Sequence, residues 1–395
     1  MTKSVVSIYD IGALGGAERY AAHLCEALLA EGHQVTLLTN GETAVEVIEK
    51  YFGLNLEGLR IRQVPAGIKN VPVALSRALV DLYKYFIVKV DRTDYYFECA
   101  YKSEMFGAAK NNFYICHFPH SLDMGFDKSW RKIYFSSIQK MRNILMGRGD
   151  VFIDTYDEIL ANSRFTQMYV KQRWGREASL LYPPCSLMEV PSLTSAKKKQ
   201  IISVGRFEKL VPNIPHKGQH HLIRAFSELG DLHEQGWELH LVGSCRGSDS
   251  QSYLESLKKL AEGLPVYFHP NLEYGSLQNL LATSTLYWHA QGYGQDLAKH
   301  PETQEHFGIT TVEAMSAACI PVVINSAGPK EVAEGYGGET WDSLEDLRDK
   351  TRFLASLPIL ELRKRQTEAV ERAQYFSEKN FNTRIYKLLA QTSVD

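Results

Sequence analysis

Between residues 198 and 324 the chain alternates short apolar runs with helix-length amphipathic stretches, without a break in the order. Residues 201–204, 238–242, 266–269, 286–290 and 320–324 read as strands, and residues 219–228, 252–261, 276–282 and 310–317 as the helices between them. Strands separated by a helix pair in parallel through right-handed crossovers, because a tight turn can join only antiparallel neighbours. The pattern therefore predicts a doubly wound parallel sheet with helices on both faces.

The other end of the chain carries the same signal. An apolar run over residues 5–11 is followed by a glycine-bearing loop, a helical stretch and a second strand over residues 34–39. In that stretch Ala17, Ala21, Leu24 and Leu28 fall at spacings of four and three, and Gly32 marks its end. A length of 395 residues suits two such cores better than one. The proline-bearing residues 182–192 and the cluster Lys197, Lys198, Lys199 mark the linker. The expected division is an N-terminal Rossmann-like domain over residues 1–190, a C-terminal one over 198–375, and a helical tail over 376–395 that packs back on the first.

Bulk properties narrow the function classes. The 44 basic and 46 acidic residues leave a net charge of -2, so no global field draws the chain to nucleic acid, and none is expected as a partner. Cys25, Cys99, Cys116, Cys185, Cys245 and Cys319 form no CxxC pair and no zinc-ligand spacing, which predicts reduced, buried thiols and no bound metal. Neither a leader-like N-terminus nor an apolar span long enough for a membrane is present, so the expected location is cytoplasmic.

The segment with the most chemistry is Glu305-His306-Phe307-Gly308-Ile309-Thr310-Thr311-Val312-Glu313, placed between two predicted strands. Glu305 falls in the loop and Glu313 within the helix. Gly308 stands where the backbone must approach something closely, and the amides of Ile309 and Thr310 open the helix. A helix N-terminus with open amides is an anion site that a diphosphate would fit.

Glu-x7-Glu within EHFGITTVEAM, followed by GPKEV at residues 328–332, resembles glycosyltransferase family 4. The resemblance runs along nearly the whole chain: GGAE at 15–18, YICHFP at 114–119, ANSRFT at 161–166, YPPC at 182–185, VGR at 204–206 and KG at Lys217 match in the family's order. It implies a GT-B fold, two Rossmann-like domains facing a central cleft, and a retaining, metal-independent transfer from a sugar nucleotide to a glycan or lipid-linked acceptor. Glu305 would contact the donor sugar near its reacting carbon and Glu313 the ribose hydroxyls. Phe307, Gly308 and Ile309 would line the same site, and Asn271 and Leu272 would present backbone groups to the base. Arg206 and Lys217 would neutralise the diphosphate as it leaves, a task that preorganised cations perform without a metal. Here EKLVPNIPH separates the arginine from the lysine, which are usually closer in the family, and Lys209 is an alternative to Lys217.

In the N-terminal half Gly15 and Gly16 occupy the turn into the first helix, where backbone amides can reach a phosphate or an acceptor. His117 follows the apolar run 113–116 and so falls at the carboxyl end of a strand, the edge where open α/β sheets bind ligands; by resemblance it faces donor sugar and acceptor, with His120 as an alternative. Residues 128–148 combine six Lys and Arg with aromatic and aliphatic residues and no acid, a basic amphipathic helix suited to peripheral contact with the inner membrane face. The stretch VGSCRGSD at 242–249, with YPPC and YICHFP, resembles α-1,2-mannosyltransferases that extend lipid-linked oligosaccharides, which favours GDP-mannose over a UDP-sugar as donor; no other cofactor is expected. Two alternatives share the architecture: a nucleotide-sugar 2-epimerase, and a glycan-binding homologue without catalysis.

Overall fold

The computed structural model describes residues 1–121, 129–146, 151–188, 197–209, 211 and 214–392. The chain divides into two compact units, one of Met1–Pro184 with Glu378–Asp395 and one of Cys185–Ser377.

The first unit runs β1 (Lys3–Ser7), α1 (Gly16–Ala30), β2 (Gln34–Thr39), α2 (Val45–Phe52), β3 (Arg60–Gln63), α3 (Val73–Val90), β4 (Tyr95–Glu98), β5 (Asn111–Cys116), α4 (Ser129–Met146), β6 (Glu158–Ala161), α5 (Arg164–Trp174) and β7 (Ser179–Leu180). Its strands pair in parallel in the order β3-β2-β1-β4-β5-β6-β7. Alternate residues of one strand feed opposite faces. Val6 joins the core beside α1, and Val5 joins a second core with Tyr85 and Val88 of α3. Both faces are thus covered, which explains the near-continuous apolar strands.

The second unit runs β8 (Lys198–Val204), α6 (Gln219–Ser227), α7 (Gly230–Glu234), β9 (Glu238–Gly243), α8 (Ser248–Leu260), β10 (Val266–Pro270), α9 (Tyr274–Thr283), β11 (Ser284–His289), α10 (Ile309–Ser316), β12 (Ile320–Ile324), α11 (Ala327–Ala333), β13 (Glu339–Trp341), α12 (Leu344–Ser356) and α13 (Ile359–Gln374). Here the parallel order is β10-β9-β8-β11-β12-β13. Trp288 of β11 and Phe226 of α6 are fully buried in its core with ring centroids 6.3 Å apart, each contributing about 1.5–3 kcal/mol by leaving water. Where the chain enters and leaves this unit, the Cys185 amide donates to the Phe376 carbonyl at 3.0 Å. The last helix, α14 (Glu378–Thr392), belongs to the first unit, where Phe381, Ile385, Leu388 and Leu389 join the α1 core.

Strand order reverses at β1/β4 in the first sheet and at β8/β11 in the second, and ligands of such sheets bind beyond the carboxyl ends at these points. The basic helix is observed as α4, while residues 128, 147 and 148 of the expected segment lie outside the described residues. One of its cations departs from the expected solvated side: Arg142 turns inward, 5% exposed, and pairs with Asp81 at 2.7 Å. A guanidinium removed from water must find a carboxylate, and α3 supplies it.

Candidate functional site

In the second unit the reversal point is formed by the ends of β8 and β11, and the segment carrying Glu305 leads from there into α10. Gly308 caps α10 with φ +95°, a conformation that L side chains rarely adopt, and this turn sends the chain into the helix. The amides of Ile309 and Thr310 donate to no protein acceptor among the described residues, which leaves the N-terminus of α10 open to an anion. Tyr287, on β11, sits beneath: its hydroxyl is 2.8 Å from Thr310 Oγ1. Burial pushes that phenol up, and the Glu305 and Glu313 carboxylates push in the same direction. Glu313 itself is 8% exposed.

Lys217 pairs with Glu305. Its Nζ stands 2.5 Å from Glu305 Oε2, with the two side chains 23% and 21% exposed. Burial alone would raise the Glu305 carboxyl, but Lys217 and then His289 outweigh it and hold it well below the usual carboxylate range. The stem of Lys217 lies across Gly205, where a Cβ would strike it, so the inserted loop does not carry the lysine away from the end of β8. Lys209, the alternative, pairs instead with Asp249 at 3.5 Å. Arg206 is not joined to either member of the pair: its Nε meets Glu208 Oε1 at 3.0 Å and its side chain is 67% exposed. A long exposed side chain takes the partner nearest in sequence, and that local choice is not visible in the VGR motif.

Two other expected donor contacts have structural duties. Phe307 is 3% exposed, its ring 5.3 Å from that of Phe376, so it anchors the loop from behind and only its main chain can meet a ligand. Asn271 is left-handed, φ +56°, and its amide side chain accepts from the Cys245 amide at 2.8 Å and donates to the Cys245 carbonyl at 3.1 Å. Its own backbone amide donates to the Gly243 carbonyl at 2.9 Å, so Asn271 clamps two loops together. Gly328 was not singled out as a site residue, yet a Cβ there would fall on the main chain of His306 and Phe307, and its amide donates to the Glu305 carbonyl at 3.0 Å. Gly328→Ala must displace the Glu305 loop. We expect kcat/KM to fall at least about tenfold, with about 1–3 kcal/mol of stability lost, as measured by steady-state kinetics and denaturant unfolding.

The first unit offers its own residues. Gly15 precedes α1, and its amide is taken by the Glu18 carboxylate at 2.9 Å, which leaves Gly16 and the next amide as the helix-start donors. His117 follows β5; its Nε2 lies 2.9 Å from the Cys99 carbonyl, so this nitrogen carries the hydrogen and Nδ1 keeps its lone pair. Burial lowers its pKa, partly countered by that bond, so the ring is neutral at physiological pH. A neutral imidazole with a fixed tautomer can accept from a hydroxyl at Nδ1. His120 lies apart, its ring stacked on Phe152 at 5.8 Å and 3.7 Å from Glu104.

Protein-family models match both units: one described as Glycosyltransferase Family 4 over residues 14–185, and one described as Glycosyl transferases group 1 over residues 189–374. The chain is 28% identical over 250 residues to the human GDP-Man:Man(3)GlcNAc(2)-PP-Dol alpha-1,2-mannosyltransferase, covering 57% of this chain and 46% of that protein. It is 25% identical over 369 residues to an alpha-1,3/1,6-mannosyltransferase of Rhizomucor pusillus, covering 82% and 77%. The aligned part is thus about half the length of the human relative and its mouse and frog counterparts. Among solved structures, a glycosyltransferase from Rickettsia africae ESF-5 aligns with a TM-score of 0.68 at 15% identity over 98% of this chain and 97% of that one. Anabaena Alr3699/HepE in complex with UDP and glucose aligns with a TM-score of 0.66 at 17% identity over 98% and 99%.

Proposed function

We propose that this chain, which belongs to the group 1 glycosyltransferases with a family 4 N-terminal domain and the GT-B fold, transfers mannose from GDP-mannose to a lipid-linked glycan with retention of configuration. The observation that carries the reading is the Lys217–Glu305 pair beside the open amides of α10, at the reversal point of a parallel sheet. As the nucleotide diphosphate departs, negative charge grows on its oxygens. Lys217 and the amides of Ile309 and Thr310 stabilise that charge in place, with no metal required. Glu305 aligns the sugar and Glu313 accepts from the ribose, while His117, in the first unit, offers its neutral imidazole to an acceptor hydroxyl. Arg206 joins the diphosphate only by leaving Glu208, an exchange that costs little for so exposed a pair.

GDP-mannose is favoured because both curated relatives described above are named mannosyltransferases, and the name of the human one specifies GDP-Man. A panel of GDP-, UDP- and ADP-sugars tests it. The matching donor at about one hundred times its Kd should add about 2.7 kcal/mol of stability and release its diphosphate in the presence of acceptor. Equal responses to all three bases would remove the assignment of GDP, and a changed sugar configuration without acceptor would mean an epimerase.

A lipid-linked acceptor calls for a membrane face. No helix of the described residues is long and apolar enough to cross a bilayer. The neighbouring helices α3 and α4 nevertheless turn Tyr83, Phe86, Val90, Ile133, Ile144 and Leu145 to solvent at 43–76% exposure, with Lys89 and Lys140 exposed beside them. Aromatic and aliphatic groups flanked by lysines suit an anionic lipid surface. The chain should co-sediment with vesicles rich in phosphatidylserine and lose most of that binding in Phe86→Ser/Ile144→Ser; equal recovery with phosphatidylserine vesicles and with no vesicles would dispose of the contact.

A further inference from the structure

Two side chains converge on one carboxylate oxygen in the second unit. Lys217 Nζ is 2.5 Å from Glu305 Oε2, and His289 Nε2 is 3.9 Å from the same atom. The approach follows from the topology. His289 is the last residue of β11, and Ala290 after it lies so close to Gly218 that a Cβ on that glycine would stand 2.8 Å from the Ala290 carbonyl oxygen. The start of α6, and Lys217 with it, is thereby seated on the end of β11.

The His289 side chain is 4% exposed, and neither ring nitrogen has a hydrogen-bond partner among the described residues. Buried polar atoms are nearly always satisfied, and those that are not tend to mark a group in use. Lys217 and Glu305 here neutralise each other, yet the reaction proposed above needs both for the donor: the ammonium for the diphosphate, the carboxylate for the sugar. If Lys217 left, Glu305 would remain as a largely buried charge without a partner, which is costly.

We propose that His289 is a positioning residue for this transfer: when Lys217 turns to the donor diphosphate, His289 donates from Nε2–H to Glu305 Oε2 and keeps that carboxylate aimed at the sugar. The inference rests on the roles given to Lys217 and Glu305. The charged and titratable groups that act on the site are few among the described residues: Glu305 and Lys217 act on His289, Lys217 and His289 act on Glu305, and Tyr287 feels both Glu305 and Glu313. Burial lowers the pKa of His289, Glu305 raises it and Lys217 lowers it again, so the ring is neutral and can donate without taking up a proton.

The test compares His289→Leu with His289→Gln, whose amide nitrogen occupies the place of Nε2, using whichever of the GDP-, UDP- and ADP-sugars the enzyme turns over fastest. His289→Leu should lower kcat by about tenfold to a hundredfold, the range for losing one hydrogen bond to a charged group, and His289→Gln should recover most of it. In a Glu305→Gln background the leucine substitution should add less than about twofold, because its effect passes through the carboxylate. Wild-type kcat in His289→Leu, a glutamine variant no better than leucine, or a full effect in the Glu305→Gln background would each overturn the proposal. A silent Glu305→Gln would instead overturn the reading of the site itself, which keeps the two failures apart.

Discussion

Glu305→Gln should reduce kcat by about a hundredfold to a thousandfold while changing donor Kd by less than about fivefold, the pattern of a group that acts mainly in the transition state. The substitution keeps the shape and removes only the charge that Lys217 meets at 2.5 Å. Binding of the diphosphate survives, since the freed ammonium is if anything more available to it. What disappears is the carboxylate that fixes the sugar as positive charge develops at its reacting carbon. The pair also sets a pH signature. A carboxyl held below its ordinary 4.5 contributes stability above that pH and loses it as pH falls through the depressed value, so Glu305 adds no acid limb to kcat near neutrality. Kinetics and donor titration of the variant read kcat and Kd, and the pH profile of the unaltered enzyme reads the missing acid limb. Retention of more than about a tenth of wild-type kcat would mean that Glu305 does not serve the transition state.

How much of this was legible in the sequence depends on whether the cause is local. The second sheet was, because strands buried on both faces are apolar runs and the helices between them have their own period. Boundaries slipped where a cap and not an apolar residue opens the element: α8 begins at Ser248 behind left-handed Gly247, ahead of the apolar periodicity that starts at Tyr253. Glu305, Gly308 and Glu313 could be read together because one loop and one helix start hold all three. His289 could not. It closes a strand that otherwise reads as core, and only the fold of the long connection from β11 to α10 brings it within 3.9 Å of Glu305. Gly328 was legible as part of a motif but not for its reason, which is a contact with the main chain of a different segment. Arg206 and Phe307 illustrate the converse, since a motif fixes a backbone position but leaves the side chain to choose between ligand, neighbour and core.

The largest stability effect is expected far from the transfer chemistry, at Phe381→Ala. Phe381 is 2% exposed on α14, and its ring meets that of Tyr20 edge to face, with centroids 5.1 Å apart. Removing a buried phenyl ring costs about 3–5 kcal/mol, because the lost transfer energy is joined by the cavity left behind. For a unit of this size that is a fall in Tm of roughly 10 °C. The first unit would suffer it even though the residue lies near the other end of the chain, since α14 completes the core around α1. Activity should fall as well, below what the folded fraction predicts. Tyr20 donates to the Leu181 carbonyl at 3.0 Å and stands edge-on to His117 at 5.9 Å, so a ring that tilts into the new cavity withdraws one wall of the histidine's site. Leu360→Ala on α13, where the side chain is 75% exposed, serves as the control and should shift stability by less than about 0.5 kcal/mol. Calorimetry on both variants separates burial from mere truncation, and equal melting temperatures would show that α14 is not part of the first unit's core.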